Sequence, residues 1–138
     1  MLKQAKIETD NCRDKVQYEQ GSISMFGKTY PVPRLTAWFG ETGYSYSGMS
    51  HEPQDMPYWL TKLKEKIEFL TNEKFNCALI NFYRNGSDSV SWHSDDETEL
   101  GGDPVIASVS VGTTRVFKLK HKTDKDDKAS ISLENGSI

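Results

Sequence analysis

From Phe75 onward the sequence changes its period, and that change limits what the chain can fold into. The stretch "DMPYWLTKLKEKIEFLT" (55–71) places Leu60, Leu63, Ile67 and Leu70 at helical spacing, with Lys64 and Glu68 as an outward i,i+4 pair. It predicts one long amphipathic helix, with Pro57 in the first turn and Asp55 as its cap. "FNCALINFY" (75–83) then alternates with period two. "SVSW" (89–92), "PVIASVSV" (104–111), "RVFKLKH" (115–121) and "SISL" (130–133) read as further short strands, with turns at Gly86, Gly101-Gly102, Gly112 and Asn135-Gly136. Upstream, "SISMFGKTYPVPR" (22–34) predicts a hairpin with Gly27 at its tip, and "TAWFGETGYSYSG" (36–48) predicts extended aromatic segments around a turn. A helix followed by many short strands makes an α+β, mainly β protein built around a small barrel or jelly roll.

At 138 residues the chain is expected to be one domain. No apolar run approaches a membrane span, and "MLKQAKIETD" lacks the apolar core of a signal peptide. The expectation is a soluble intracellular protein without a membrane partner, cytoplasmic, or nuclear in a eukaryote. Cys12 and Cys77 have neither metal-type spacing nor a disulfide framework. The net charge of -3 argues mildly against a nucleic-acid partner, but the charge is uneven. Basic residues dominate before residue 40 and again over 115–128, while acids concentrate at 95–103. That distribution suits a metal site beside a phosphate-binding surface, although basic residues on strands are more often simply solvated.

Four pairs of residues carry candidate chemistry. In "SWHSDDE", His93 and Asp95 are i and i+2, so an extended backbone points both to one side, where they can share a cation. Such a pair begins a two-histidine, one-carboxylate iron site, but chance also produces it. Asn81 and Tyr83 in "LINFYRNG" repeat the spacing and could bind a small polar anion, or pack with their polar groups satisfied locally. Tyr44 and Tyr46 could wall a flat ligand such as a base, or form a plain aromatic cluster. In "MFGK", Phe26 could wedge into a base stack with Lys28 on a phosphate, or sit in an ordinary turn.

Together, "FNCALINFYRNGSDSVSWHSDDETEL", "PVIASVSVGTTRVFKLKHK" and "PRLTAWFGETGYSYSG" resemble the AlkB family of Fe(II)/2-oxoglutarate dioxygenases, over most of the chain from about Ile23. The resemblance implies a double-stranded β-helix carrying an N-terminal nucleotide-recognition lid. It implies Fe(II), with 2-oxoglutarate and O2 as cosubstrates, and alkylated DNA as partner, with RNA as the alternative. His93 and Asp95 match iron ligands, and Asn81 and Tyr83 match the pair that hydrogen-bonds 2-oxoglutarate. Tyr44 and Tyr46 match the aromatics of the lesion pocket. Glu97 matches an acidic residue near the base, and Asp96 beside it would favour a cationic lesion by charge. Met25, Phe26 and Gly27 look like an intercalating finger, with Lys28 beside it, and Arg34 lies where the family has a residue near the flipped nucleotide. The implied reaction is hydroxylation of an N-methyl group, giving a hemiaminal that releases formaldehyde.

"ISLENGSI" resembles the family strand leading towards the distal iron-binding histidine, and neither His51 nor His121 matches that position. The expectation is therefore a domain incomplete at its C-terminus. It would lack its last strands, the distal histidine and the arginine that pairs with 2-oxoglutarate, and would have little activity alone unless another chain supplies them. A non-catalytic nucleic-acid-binding remnant and an RNA-directed dealkylase are the competing readings.

Overall fold

A computed structural model of the chain describes residues 2–40, 44–46, 49–51, 53–95 and 104–138. In chain order the elements are α1 (Leu2–Asp14), β1 (Ser22–Met25), β2 (Lys28–Pro31), β3 (Leu35–Gly40), β4 (Tyr44–Tyr46), β5 (Met49–His51), α2 (Tyr58–Thr71), β6 (Cys77–Phe82), β7 (Arg115–Lys120) and β8 (Lys128–Leu133). This is an α+β protein with more strand than helix. The chain divides into two compact units, Val16–Val105 and Met1–Lys15 with Ile106–Ile138. Among the described residues, no helix is long and apolar enough to cross a membrane.

The larger unit is organised on β3. One edge of β3 pairs antiparallel with β6, in a register that sets Thr36 opposite Asn81 and Ala37 opposite Ile80. The other edge takes bridges from Glu19 and Gln54. Strand alternation then divides the two-stranded sheet into unlike faces. Ala37 and Phe39 pack with Leu60 of α2 as a buried cluster, flanked by Ala78, Ile80, Trp59 and Leu63. Tyr18 stacks on Phe82 with ring centroids 5.2 Å apart, a contact worth about 0.5–1.5 kcal/mol beyond its buried area. β1 and β2 form a hairpin with Met25 opposite Lys28, so Phe26 and Gly27 are a two-residue tip.

The helix expected over 55–71 is α2, with different details. Its N-cap is Pro57, with no side-chain cap hydrogen bond, so Asp55 does not cap it. Of the expected apolar stripe, Leu60 and Ile67 are buried and Leu70 is exposed. The helix closes at Asn72 in the left-handed conformation, whose N–H reaches the Glu68 carbonyl. The Glu68 carboxylate accepts the Phe75 N–H at 3.0 Å, Lys74 at 3.0 Å and Lys64 at 3.4 Å. The Phe75 N–H, then Lys74, hold this carboxyl down to about 2, below its ordinary 4.5. A group depressed on folding stabilises above its unfolded value and loses that contribution as pH falls towards its folded value. Wild type is therefore expected to lose thermal stability more steeply than Glu68→Gln between about pH 4.5 and about pH 2. Melting temperatures across that range check it; parallel curves would contradict it.

In the smaller unit, β7 and β8 pair antiparallel from Arg115 opposite Leu133 to Lys120 opposite Lys128. The helix α1 lacks an apolar period, so the alternation argument overlooks it. Its buried face is Ala5, Glu8 and Asn11, and Arg13 bridges Asp10 at 3.0 Å within the last turn. A Cβ on Gly136 would stand 3.0 Å from that of Ala5, which explains why this turn carries glycine, at φ +84°. Two expected strands do not form. Residues 89–92 have no ladder, and 104–111 make only the isolated bridge of Ser110 to Ser137. Alternation prepares a segment for a sheet, but a strand exists only where a partner aligns with it.

Candidate metal and oxoacid site

The face of the β3–β6 pair turned away from α2 carries polar side chains. Arg34 immediately precedes β3 and is 6% exposed, and Thr36 on β3 is 2% exposed. The backbone N–H and carbonyl of Thr36 both bond Glu19, at 3.0 and 2.8 Å. Thr36 and Asn81 are therefore a non-hydrogen-bonded pair of opposed residues, the type whose side chains approach most closely. The Arg34 Nε–H donates to Asn81 Oδ1 at 2.7 Å. Asn81 is exposed, and Tyr83 follows one residue beyond the end of β6, half-buried. Asn81 and Tyr83 thus hold the alternating positions read from the sequence. Arg34, expected beside the flipped nucleotide, donates to Asn81 of the expected oxoacid pair.

A tight loop connects Tyr83 to His93. The Arg84 guanidinium grips the buried Asp88 carboxylate through Nε at 2.8 Å and Nη2 at 2.9 Å, and the Arg84 backbone N–H adds a bond at 2.9 Å. Arg84 Nη1 also reaches Gln20 Oε1 at 3.1 Å. The Gln20 amide in turn donates to the Val32 and Arg34 carbonyls. The Ser89 N–H then bonds the Pro33 carbonyl at 2.8 Å. These bonds fix both ends of the loop against the chain before β3. Gln20, Arg84 and Asp88 escaped the sequence reading, because only the Asn85-Gly86 turn hinted that Arg84 and Asp88 would meet.

Beyond that anchor, His93 and Asp95 converge although no strand carries them. His93 Nε2 stands 3.5 Å from Asp95 Oδ1, with both side chains partly exposed. His93 Nδ1 lies 2.8 Å from the Ser91 carbonyl. A carbonyl only accepts, so Nδ1 carries the hydrogen, and in the neutral ring the Nε2 lone pair faces the carboxylate. Two acceptors facing one another repel unless a proton or a metal cation lies between them. Two cis ligands at about 2.1 Å from one metal stand about 3 Å apart, so a small closure of this pair suits a metal ion. A second ring nitrogen committed to a carbonyl is also how ligating histidines are oriented. An imidazole nitrogen beside a carboxylate oxygen is compatible with part of the donor set of a divalent metal such as Fe(II). Among the described residues no third His, Cys, Asp or Glu joins the pair. His121 Nδ1 instead accepts the Asp124 N–H at 3.1 Å, capping the turn after β7.

The remaining expected site residues are distributed as follows. Tyr44 and Tyr46 lie on β4, opposite His51 and Met49. Asp96 and Glu97 lie outside the described residues. Phe26 is 100% exposed at the hairpin tip. Its φ of 51° and the 74° of Gly27 match a two-residue type I′ turn, which strongly prefers Asn or Gly in place of a phenylalanine. A cavity lined by Glu65, Glu68, Phe69, Asn72, Glu73 and Lys74 shares no residue with this site.

The sequence matches the 2OG-Fe(II) oxygenase superfamily over residues 2–138. It is similar to the alpha-ketoglutarate-dependent dioxygenase alkB homolog 3 of Mus musculus, with 46% identity across 92% of this chain and 47% of that protein. The Homo sapiens protein of the same name is 45% identical, again across 92% of this chain and 47% of that protein. The DNA oxidative demethylase ALKBH2 of Homo sapiens is 36% identical across 90% of this chain and 52% of that protein. The chain spans about half the length of the curated relatives it matches.

Proposed function

Because this chain belongs to the 2OG-Fe(II) oxygenase superfamily, and its matched relatives are AlkB-type dioxygenases, we propose that it acts in oxidative removal of alkyl groups from damaged DNA bases. The observation that carries the reading is the convergence of His93 Nε2 on Asp95 Oδ1, with the ring oriented by the Ser91 carbonyl. Fe(II), with 2-oxoglutarate and O2, supplies when bound the oxidising chemistry that hydroxylates an N-methyl carbon. The chain's own residues hold and orient the reactants. His93 and Asp95 ligate the metal, with the remaining coordination coming from outside the described residues. Asn81 and Tyr83 bind the oxoacid.

In this reading Tyr44 and Tyr46 line the base pocket, and Asp96 and Glu97 favour a cationic lesion. Residues 1–138 belong to one catalytic domain, a double-stranded β-helix whose hairpin and aromatic strands form a recognition lid. An N-alkylated base is already poorly paired, so extruding it costs less than extruding a normal one. Phe26 fills the place of the extruded base and Lys28 pairs with a phosphate. The left-handed backbone of Phe26 supports that role, since a bulky side chain there costs about 1–2 kcal/mol that an ordinary turn would largely avoid with Asn or Gly.

The test is formaldehyde release from 1-methyladenine or 3-methylcytosine placed in single-stranded DNA, duplex DNA and RNA. Repair confined to RNA, or none on any substrate by the full-length protein, would remove the DNA reading. Phe26→Asn is expected to stabilise the hairpin while lowering duplex repair at least about tenfold and sparing single strands. Equal losses on both substrates would refute the wedge.

A further inference from the structure

Ten residues lie between the end of β6 and His93, and none of them joins a strand ladder. A loop without a ladder scatters the side chain at its end unless something else fixes it. Here the fixing group is Asp88. It is 5% exposed, and its carboxylate accepts the Arg84 backbone N–H at 2.9 Å, Nε–H at 2.8 Å and Nη2–H at 2.9 Å. Burying that charge is costly, and the ion pair offsets the cost. The turn itself does not need it, because Asn85 Oδ1 already accepts the Ser87 N–H at 2.8 Å as an Asx turn. The bonds continue on both sides of this clamp. Arg84 Nη1 donates to Gln20 Oε1 at 3.1 Å, and the Ser89 N–H donates to the Pro33 carbonyl at 2.8 Å. His93 therefore hangs on a tether of four residues from Ser89 instead of eleven from Phe82. Closure entropy grows as three-halves of the logarithm of tether length, so the shortening alone raises the chance of finding the imidazole in place about fivefold. The short tether also includes Ser91, whose carbonyl lies 2.8 Å from His93 Nδ1 and sets which ring nitrogen faces Asp95.

We propose that Asp88 and Arg84 are positioning residues for the metal-binding imidazole. Their ion pair holds the loop so that the Ser91 carbonyl keeps the hydrogen on His93 Nδ1 and the Nε2 lone pair towards Asp95. The inference rests on the proposed metal-dependent function and adds two residues that act through His93 and ligate nothing themselves.

Metal-free full-length protein carrying isotope-labelled histidine is studied by NMR at a pH where the ring is neutral, and is then titrated with Co(II). In wild type the His93 nitrogen shifts should report the proton on Nδ1; a proton on Nε2 would overturn the proposal. Asp88→Asn keeps the shape and removes the charge. It should leave the ring exchanging between both tautomers and weaken Co(II) binding about fivefold. Arg84→Lys keeps the charge and the backbone bond but loses the fork, so it should fall between wild type and Asp88→Asn. Ile67→Ala is the stability control. It truncates a side chain on α2 that is 8% exposed, and should lower the melting temperature without moving either readout. A merely structural ion pair would make Asp88→Asn behave like Ile67→Ala, less stable but with the wild-type tautomer and Co(II) affinity, and that result overturns the proposal. Should Asp88→Asn fail to fold, the same two readouts at wild-type values in Arg84→Lys overturn it. The readouts also separate this inference from the function it rests on. A wild-type protein that binds no Co(II) removes the metal site, while the tautomer of the metal-free ring still decides the positioning.

Discussion

Replacing His93 with alanine is expected to weaken binding of Co(II), as an oxygen-stable stand-in for Fe(II), by at least about a hundredfold. The magnitude follows from the geometry. His93 and Asp95 are the two donors that converge within 3.5 Å, and loss of the imidazole leaves a single carboxylate. Removing even an outer hydrogen-bond partner of a ligating histidine typically costs about 10–100-fold in metal affinity, so removing the ligand should reach at least the upper end. The visible absorption of bound Co(II) reports both affinity and coordination. His121→Ala is the control, because that ring is occupied in capping the turn after β7. Undiminished Co(II) affinity in His93→Ala, or an equal loss in His121→Ala, would remove the metal site and with it the proposed reaction.

Phe39→Ala should destabilise the protein by about 3–5 kcal/mol. Phe39 is 3% exposed at the centre of the cluster with Ala37 and Leu60. The β3 backbone is held on both edges, by β6 on one side and Glu19 and Gln54 on the other, so the cavity cannot readily collapse. Phe69→Ala makes the comparison clean. Phe69 lies on α2 at 87% exposure, and truncating it should change stability by no more than about 0.5 kcal/mol. Denaturant midpoints of the two variants read the difference directly. A small effect at Phe39 would mean that β3 is not the spine of the larger unit. The functional argument would suffer too, since the same strand sets Asn81 in register, opposite Thr36.

Local pattern was enough to find the parts whose physics is local. The 3.6-residue spacing of Leu60, Leu63 and Ile67 identified α2, alternation identified β6, β7 and β8, and the aromatic run at 36–48 marked the extended segment of β3. The Phe26-Gly27 tip was legible because a two-residue turn dictates its own backbone signs. His93 and Asp95 lie two positions apart with only Ser94 between them, and they approach one another although no strand carries them. The helix α1 was not legible, since its buried face includes Glu8 and Asn11.

The amino-acid order by itself determined the helix, the paired strands, the hairpin tip and the closeness of His93 to Asp95, since each depends on neighbours a few residues away. Only the tertiary structure decided that 89–92 and most of 104–111 go without ladder partners, that Gln20 and Arg84 tie the loop to the chain before β3, and that Arg34 meets Asn81 across 47 positions. Burial and strand pairing are properties of what the chain folds against, so neither has a signature in a short stretch of sequence.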